Sequence, residues 1–406
     1  MFKMILKMAY QNILLRKSRA ILLILMIGMS MGVMVGLEGL YDGMSLRMID
    51  QTKRSDSGEL SLYAKKYRLE RDIAYHIKHA DEKCRTIENM DGVNAVVYRL
   101  KADGLAQTAT KSKPGSIIGI DLDDEEHFGD FKAFLQKGTL DLEKNDALIG
   151  SGLAKKLKVK IGSKVIFTTQ DSHRDIQSIA LRIKGIIRTS NIVLDDTVLY
   201  VSRRKVTSFL SLPEGSATQI AVRSSEKETL AIKKKLNSAY VDLEVFSFKE
   251  LYPQMKQMQS MMDIFNGITF AIVMIVVFIG ILGVMYVSIL DRIREFGILL
   301  SVGYAYRYIR LQIIAESLFL GLVGYVLGTV IGLVILNYLK QYGLDLTMFA
   351  EGMESFGMDP VIYATSKSAY FISTFFAILF ASLFSVWLPL RKIKKLNPVE
   401  VIRSIG

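Results

Sequence analysis

Four long apolar segments constrain this 406-residue chain more than any other feature. They cover residues 20–40, 264–290, 313–339 and 370–390, and each reaches the roughly 20 residues that a helix needs to cross a bilayer core. Because 23% of the residues are charged, water-facing parts must alternate with this membrane part. The sequence therefore predicts four transmembrane helices, with a large aqueous domain at 41–263.

The first apolar segment follows a basic stretch, as the apolar part of a cleaved signal peptide does. However, it runs 21 residues with only Glu38 near its end, and no Ala-x-Ala cleavage site follows it. We therefore predict a retained helix.

Lysine and arginine are concentrated in the tail before residue 20, the 291–310 loop and the tail after residue 390. These three regions hold +11 of the formal net charge of +12, whereas the 340–368 loop has two bases and four acids. Because short basic flanks stay in the cytoplasm, we expect both termini inside and residues 41–263 outside. The positive charge is explained by topology, so the sequence predicts a multi-pass protein of a bacterial inner membrane and no nucleic-acid partner.

The predicted parts of the chain follow from hydropathy and charge. They are an amphipathic cytoplasmic helix at 1–19, transmembrane helices at 20–40, 264–290, 309–339 and 370–390, a periplasmic stalk and domain at 41–263, a cytoplasmic loop at 291–308, a periplasmic loop at 340–369 and a cytoplasmic tail at 391–406. Residues 41–52 and 248–263 are predicted as helical extensions that form the stalk.

The extracytoplasmic region is predicted to have an α+β fold. A helix at 68–89 carries an apolar stripe that includes Cys84, which predicts a buried thiol. Strands are predicted at 93–100 and 104–109. A β-α-β unit is predicted near the end, with a strand at 217–222, a helix at 226–239 and a strand at 243–246.

Residues 112–212 read as an inserted, β-rich subdomain with many turn residues. Short β segments are predicted at 116–120, 164–169, 178–185 and 197–201. The predicted fold class is therefore a four-helix membrane part plus an α+β extracytoplasmic domain with a β-rich insertion.

Two apolar segments carry glycine at every fourth position, which leaves a flat strip on one helix face. Such a strip lets another helix approach closely, although glycine is also common in membrane helices generally. We expect helix contact, with a partner either internal or in a second copy. The glycines are Gly28, Gly32 and Gly36, and Gly324, Gly328 and Gly332.

The loop at 291–303 begins with charged residues, becomes amphipathic and ends at Gly303. This pattern is typical of a short helix parallel to the membrane, and it fits a mere connector equally well. Glu316, in the next apolar segment, is costly if it faces lipid. Pairing with Arg310, an interfacial position or a partner-facing role would each explain it.

The chain resembles the MacB/FtsX/LolC-LolE superfamily of ABC transporter permeases. The resemblance rests on Arg-x-Arg-Glu-Phe-Gly-Ile-Leu at 292–299, Glu-Ser-Leu at 316–318 and the glycine-rich third helix. Residues 12–19 and 138–165 are similar to that family's helix-one start and outer-domain core. The Asn-Pro-Val-Glu-Val-Ile-Arg tail at 397–403 resembles its Pro-Ala-x-x-Ala-Leu-Arg tail, with Val399 and Ile402 departing from it.

The resemblance implies a dimeric permease, formed with a second copy or a paralogue, that passes ATP-driven motion through its stalk to the outer domain. The loop residues implied to contact a cytoplasmic ATPase are Arg292, Arg294, Glu295, Phe296 and Gly297. The sequence contains no Gly-x-x-x-x-Gly-Lys-Ser/Thr phosphate-binding loop. We therefore expect no enzymatic site and no cofactor in this chain, with ATP and Mg²⁺ bound by the partner ATPase.

Methionine is concentrated near the predicted membrane boundary: 18 of 19 methionines lie outside residues 49–254. Flexible thioethers suit a surface that repacks around varied apolar shapes, although methionine is more often a simple core filler. We hypothesise a cavity for acyl chains lined by Met34, Met44, Met258 and Met262.

The favoured function is release of lipoproteins from the inner membrane to a periplasmic carrier. It is supported by Ser-Gly-Glu-Leu-Ser-Leu at 57–62, which resembles the Ser-Gly-His segment after helix one in the LolC/LolE-type permeases. The alternatives are a MacB-like efflux or toxin-export permease and an FtsX-like signal coupler to a cell-wall hydrolase.

Overall fold

A computed structural model describes residues 17–143, 145–189, 191–349, 352 and 360–394. The predicted cytoplasmic helix at 1–19 and the tail at 391–406 therefore lie largely outside the described residues. The chain divides into two compact units. The membrane unit contains Met1–Ser45, Gln259–Leu346 and Val361–Gly406, and the globular unit contains Leu46–Met258 and Thr347–Pro360.

The helices and strands follow one another along the chain. The described helices are α1 Lys17–Thr52, α2 Tyr67–Glu70, α3 Ala80–Glu88, α4 Leu122–Gly129, α5 Ser151–Leu157, α6 Ile192–Asp195, α7 Arg203–Phe209, α8 Thr229–Ala239, α9 Phe248–Leu251, α10 Pro253–Leu290, α11 Ile293–Ser301, α12 Tyr306–Gln341, α13 Ser368–Ser385 and α14 Trp387–Lys394. The strands are β1 Leu60–Ala64, β2 Val93–Gln107, β3 Ser112–Ile120, β4 Leu135–Gly138, β5 Asp146–Gly150, β6 Lys164–Gln170, β7 Ile176–Ile187, β8 Val198–Ser202, β9 Gln219–Ser224, β10 Leu243–Ser247, β11 Leu344–Asp345 and β12 Val361–Ile362.

Among the described residues, four helical runs are long and apolar enough to cross a membrane, which confirms the predicted four transmembrane helices. They are Lys17–Ser57, Pro253–Leu290, Tyr306–Gln341 and Ser368–Arg391. The helical continuation predicted at 41–52 is confirmed, because α1 ends at Thr52 and a π-helical turn, Lys53–Ser57, follows it. The helical segment predicted at 248–263 is interrupted at Tyr252, before Pro253 begins α10.

The first layer of the globular unit is an antiparallel sheet in the order β10-β1-β9-β2. Strand β9, helix α8 and strand β10 form the predicted β-α-β unit, with β1 paired between the two strands. One face is covered by α3 and α8, whose apolar side chains share one core with β1, β9 and β10. Cys84 lies in this core, as predicted.

The second layer is a closed barrel in the order β2-β3-β8-β5-β7-β6, in which β6 pairs back to β2. Its interior is filled by alternating apolar side chains from all six strands, as small barrels require. The β segments predicted within 112–212 are confirmed as β3, β6, β7 and β8, and the barrel is completed by β5, which was not predicted, and by the second half of β2.

Two predictions about 68–109 are wrong. The helix predicted at 68–89 is interrupted, because Arg71 and His79 adopt positive φ angles and the backbone of Ile77 bonds to that of Ala217 instead. The two strands predicted at 93–100 and 104–109 are one strand, β2. Its first half pairs with β9 and its second half with β3, so a single 15-residue strand joins the sheet to the barrel.

Candidate functional site

Helix α11 lies in the predicted ATPase-facing loop and has one buried and one exposed side. Phe296 and Gly297 are buried within the membrane unit, whereas Arg294, Glu295 and Ile298 are exposed. The helix is therefore amphipathic, as its sequence pattern predicts.

Arg292, immediately before α11, joins this helix to α12 through a buried ion pair. Its guanidinium nitrogen Nη1 lies 2.9 and 3.1 Å from the two carboxylate oxygens of Glu316. Gln312 donates a further hydrogen bond to Glu316 at 3.3 Å, and Nε of Arg292 lies 3.2 Å from the carboxylate of the exposed Glu295. Glu316 is thus paired with Arg292 of the loop, and Arg310 is exposed.

The two glycine strips face each other across the α1–α12 contact. A Cβ atom added to Gly32 would collide with Ile331, and one added to Gly328 would collide with Met31. The same holds at Gly36, which meets Ile335, and at Gly324, which meets Ile27, whereas a Cβ at Gly28 or Gly332 would make a tight contact with Leu327 or Val35. The structure therefore places these six glycines where the two backbones approach most closely.

The four methionines proposed to form an acyl-chain cavity do not belong to one unit. Met34 is fully buried in the membrane unit, and Met44 and Met262 of that unit are half-buried. Met258 belongs to the globular unit, where it lines a cavity of about 610 Å³ together with Met48 and Met255. Of these four methionines, Met258 is therefore the one that lines this cavity.

A buried ionic cluster lies where the chain enters and leaves the globular unit. We define the junction cluster as Asp56, Arg99, Lys101, Glu125 and Tyr252. The guanidinium of Arg99 donates to both carboxylate oxygens of Glu125, from Nε at 2.5 Å and from Nη2 at 2.6 Å, and both side chains are 1% exposed. Such a two-point contact is the strongest form of an arginine–carboxylate pair.

The remaining contacts of the junction cluster converge on Asp56, in the π-helical turn after α1. Lys101 and the hydroxyl of Tyr252, between α9 and α10, both donate to its carboxylate, and Arg99 donates to its carbonyl oxygen. The positive charges of Lys101 and Arg99 thus both lie within 4 Å of this carboxylate. The segments at both ends of the globular unit are thereby bonded to each other and to β2.

Sequence reasoning did not find the junction cluster. The one signal was the alternation of β2, which places Arg99 and Lys101 on the same face as Val97. A metal site is not indicated, since no group of three His, Cys, Asp or Glu side chains in the described part of the chain is placed to hold an ion.

Comparison with known proteins finds two family models along the chain. A MacB-like periplasmic core domain matches residues 20–239, and an FtsX-like permease C-terminal region matches residues 267–398.

Three curated proteins illustrate the range of relatives. An uncharacterized ABC transporter permease of Methanocaldococcus jannaschii is 23% identical over 98% of this chain and 98% of its own length. LolC of Buchnera aphidicola, a lipoprotein-releasing system transmembrane protein, is 27% identical over 57% of this chain and 61% of its own length. MacB of Escherichia coli, a macrolide export ATP-binding/permease protein, is 30% identical over 35% of this chain and 19% of its own length. The match thus spans almost the whole archaeal protein but less than two thirds of LolC and of MacB.

Proposed function

We propose that this chain, which belongs to the MacB/FtsX/LolC family of ABC transporter permeases, couples ATP hydrolysis in a cytoplasmic partner chain to movement of its own periplasmic domain. It is a multi-pass membrane protein with a mixed α/β periplasmic domain. The partner ATPase binds ATP and Mg²⁺, and this chain supplies the docking helix and the moving domain.

The observation that carries this proposal is the buried contact between Arg292 and Glu316. A loop that only connects two membrane helices needs no internal ion pair. A helix that transmits movement from a partner ATPase, by contrast, must be bonded to the membrane helix that it moves, here α12. Arg294 and Glu295 remain exposed beside this contact and form the docking surface together with Ile298. The excess of basic over acidic residues in the 291–310 loop supports a cytoplasmic position for this loop. Both termini would then lie on the cytoplasmic side of an inner membrane.

We further propose that the cargo is a lipoprotein, extracted from the outer leaflet of the inner membrane and passed to a periplasmic carrier. The similarity to LolC over 57% of this chain supports this cargo. Dimerisation, with a second copy or a paralogue, would let two permease chains together enclose the lipoprotein.

A second candidate is export of a small molecule such as a macrolide, favoured by the match of residues 20–239 to the MacB-like core domain. Signalling to a cell-wall hydrolase is a third, favoured by the FtsX-like match at 267–398.

Depletion of the protein in its own host separates these cargoes. We expect lipoproteins to accumulate in the inner-membrane fraction, with unchanged macrolide sensitivity and unchanged cell separation. Increased macrolide sensitivity with normal lipoprotein sorting would favour the second candidate, and chained cells with normal sorting would favour the third.

Coupling to the ATPase is tested on the purified complex by replacing the exposed residues of α11. The double variant Arg294→Ala with Glu295→Ala should lower permease-dependent ATPase stimulation at least about tenfold, because two charged contacts are lost. Arg307→Gln, an exposed arginine outside α11, is the matched control and should leave stimulation unchanged. Equal stimulation in the double variant and the control would exclude α11 as the docking helix.

A further inference from the structure

The globular unit contains a cavity large enough for a small ligand. Its volume is about 610 Å³, and it lies between β1, α2, β2, α6 and the segment at 251–258. Cavities of roughly 300–1,000 Å³ are the usual size of small-molecule sites. This cavity belongs wholly to the globular unit, which includes the end of α1 and the start of α10.

One part of the cavity wall is apolar and adaptable. Its side chains include Met48, Met255 and Met258 together with Ile118, Val193 and Leu251. Unbranched thioethers can follow the shape of a flexible chain more easily than branched side chains can. Val193 is 76% exposed at the edge of the cavity.

Another part of the wall contains three cations, of which two are already neutralised. Lys101 is paired with Asp56, and Arg71 lies 3.4 Å from the carboxylate of Asp103. The third is Arg68, which has no carboxylate within ion-pair distance in the described part of the chain.

Arg68 is held in place by aromatic rings instead of by an anion. Its guanidinium lies 4.6 Å from the ring centre of Phe246 and 5.7 Å from that of Tyr63, and its side chain is half-buried. A partly desolvated guanidinium with free donors is a strong site for a carboxylate or phosphate. The cavity thus joins an apolar wall to one available positive charge.

We propose that this cavity binds a single-chain anionic amphiphile, with the acidic group on Arg68 and the hydrocarbon chain against Met255 and Met258. The charge complementarity of Arg68 selects the acid, and the methionine wall accommodates chains of differing shape. The proposal goes beyond the coupling function and holds whatever cargo the permease moves.

Photolabelling of the full-length protein in lipid nanodiscs tests the site directly. The probe is palmitic acid with a diazirine in its chain, and labelled residues are identified by mass spectrometry. We expect labelling on the peptide that contains Met255 and Met258, with competition by palmitate and by lysophosphatidic acid. Hexadecanol, which has the chain without the acid, should compete about tenfold less well, the effect of losing one charge-assisted hydrogen bond. Competition by only one of the two acids identifies the headgroup as carboxylate or as phosphate and supports the site either way.

Variants locate the acid on Arg68. Arg68→Gln should lower labelling of this peptide about tenfold, and Arg68→Lys should retain most of it because the charge remains. Arg85→Gln is the matched control, since Arg85 is an exposed arginine on α3 outside the cavity lining. If Arg68→Gln does not fold, the comparison of hexadecanol with palmitate decides the question on the native protein.

Three results would overturn the proposal. Equal competition by hexadecanol and palmitate would exclude recognition of the acid, as would full labelling of a folded Arg68→Gln variant. Labelling confined to the membrane unit, and so absent from residues 46–258, would exclude the cavity as the binding site.

Discussion

Each unit of this permease contains a buried arginine–glutamate pair, and the two pairs differ in how completely they are enclosed. Arg99 and Glu125 in the globular unit are both 1% exposed and make two parallel contacts. Arg292 and Glu316 in the membrane unit are 9% and 6% exposed, and a single guanidinium nitrogen contacts both carboxylate oxygens.

The other contacts of Arg99 and Arg292 also differ. Nη1 of Arg99 donates to the carbonyl of Asp56. Both arginines lie near an aromatic ring, Arg99 at 5.1 Å from Phe128 and Arg292 at 4.9 Å from Phe296. Arg292 has an exposed second carboxylate, Glu295, within reach. Arg99 also has a second carboxylate, Asp56, 3.9 Å from its Nη1, but that carboxylate is already bonded to Lys101 and Tyr252. The first pair therefore fixes one arrangement of the domain, whereas the second has an exposed alternative partner and suits a contact that must shift during a transport cycle.

Removing one member of the enclosed pair should have the largest effect on stability. Glu125→Ala leaves the buried guanidinium of Arg99 with only the more distant carboxylate of Asp56, 3.9 Å away, which Lys101 already neutralises. This loss should cost about 3–5 kcal/mol. Hydrogen exchange at the amides of β2 in the full-length protein measures this loss locally.

The control for this prediction replaces both partners. Arg99→Met with Glu125→Leu removes the charges together and should recover most of the lost stability. A double variant as unstable as Glu125→Ala would show that the fold needs the pair itself and not merely the absence of an unpaired charge.

Removing one member of the less enclosed pair should cost less and change coupling more. Glu316→Ala should lower stability by about 2–3 kcal/mol, because Arg292 keeps Glu295 and can extend toward the interface. Permease-dependent ATPase stimulation should fall, since α11 is no longer fastened to α12. Arg310→Gln is the matched control, and a loss as large as that of Glu316→Ala would mean that Arg310 is the functional partner.

Features that depend on neighbouring residues could be predicted from the sequence. The four membrane-spanning runs follow from continuous apolar stretches, and α11 and the β9-α8-β10 unit follow from local periodicity. The helix predicted at 68–89 failed although Ile73 and Ile77 of its apolar stripe are buried, because Ile77 forms an isolated backbone bridge to the distant Ala217, just before β9. The local sequence pattern thus identified which side chains of this segment are buried, but it did not identify the backbone conformation.

Features that depend on distant residues could not be predicted. Tyr252 meets Asp56 across 196 positions of sequence, and Arg99 meets Glu125 across 26. Glu316 was recognised as costly in a membrane helix, yet its partner lies 24 residues earlier, in a loop whose position depends on packing. Closure of the barrel by β6 on β2 is equally a long-range event. A single sequence carries no signal for such pairs.

Asp195 is a buried carboxyl that can be compared with Glu125 and Glu316, which pair with arginines. Its described hydrogen bonds come from Thr189 and not from a cation. Burial raises its pKa to about 6, against the partial opposition of the Thr189 donors and Arg188. An acid whose folded pKa is raised favours folding when it is protonated. The globular unit should therefore gain about 2 kcal/mol of stability as the pH falls from 7 to about 4.5.

The pH effect is checked by hydrogen exchange at the amides of β8 at both pH values. Asp195→Asn should remove most of the dependence. Glu250 does not disturb this test, because its pKa is lowered to about 2 and its contribution to stability is lost only as the pH falls toward that value, below this window. Stability that falls steadily from pH 7 to 4.5 in the wild type would contradict the assignment to Asp195.

The smallest predicted effect concerns the link between the two ends of the globular unit. Tyr252→Phe removes the hydroxyl that donates to Asp56 but keeps the ring against Phe248, 5.2 Å away. Because Lys101 still neutralises Asp56, the expected loss of stability is only about 1 kcal/mol. If the junction cluster transmits motion rather than merely stabilising the fold, lipoprotein release per ATP hydrolysed should fall in this variant while ATPase stimulation is unchanged. Tyr240→Phe, a tyrosine of the same unit outside the cluster, should leave both quantities at their wild-type values, and equal release in the two variants would assign the cluster a purely structural role.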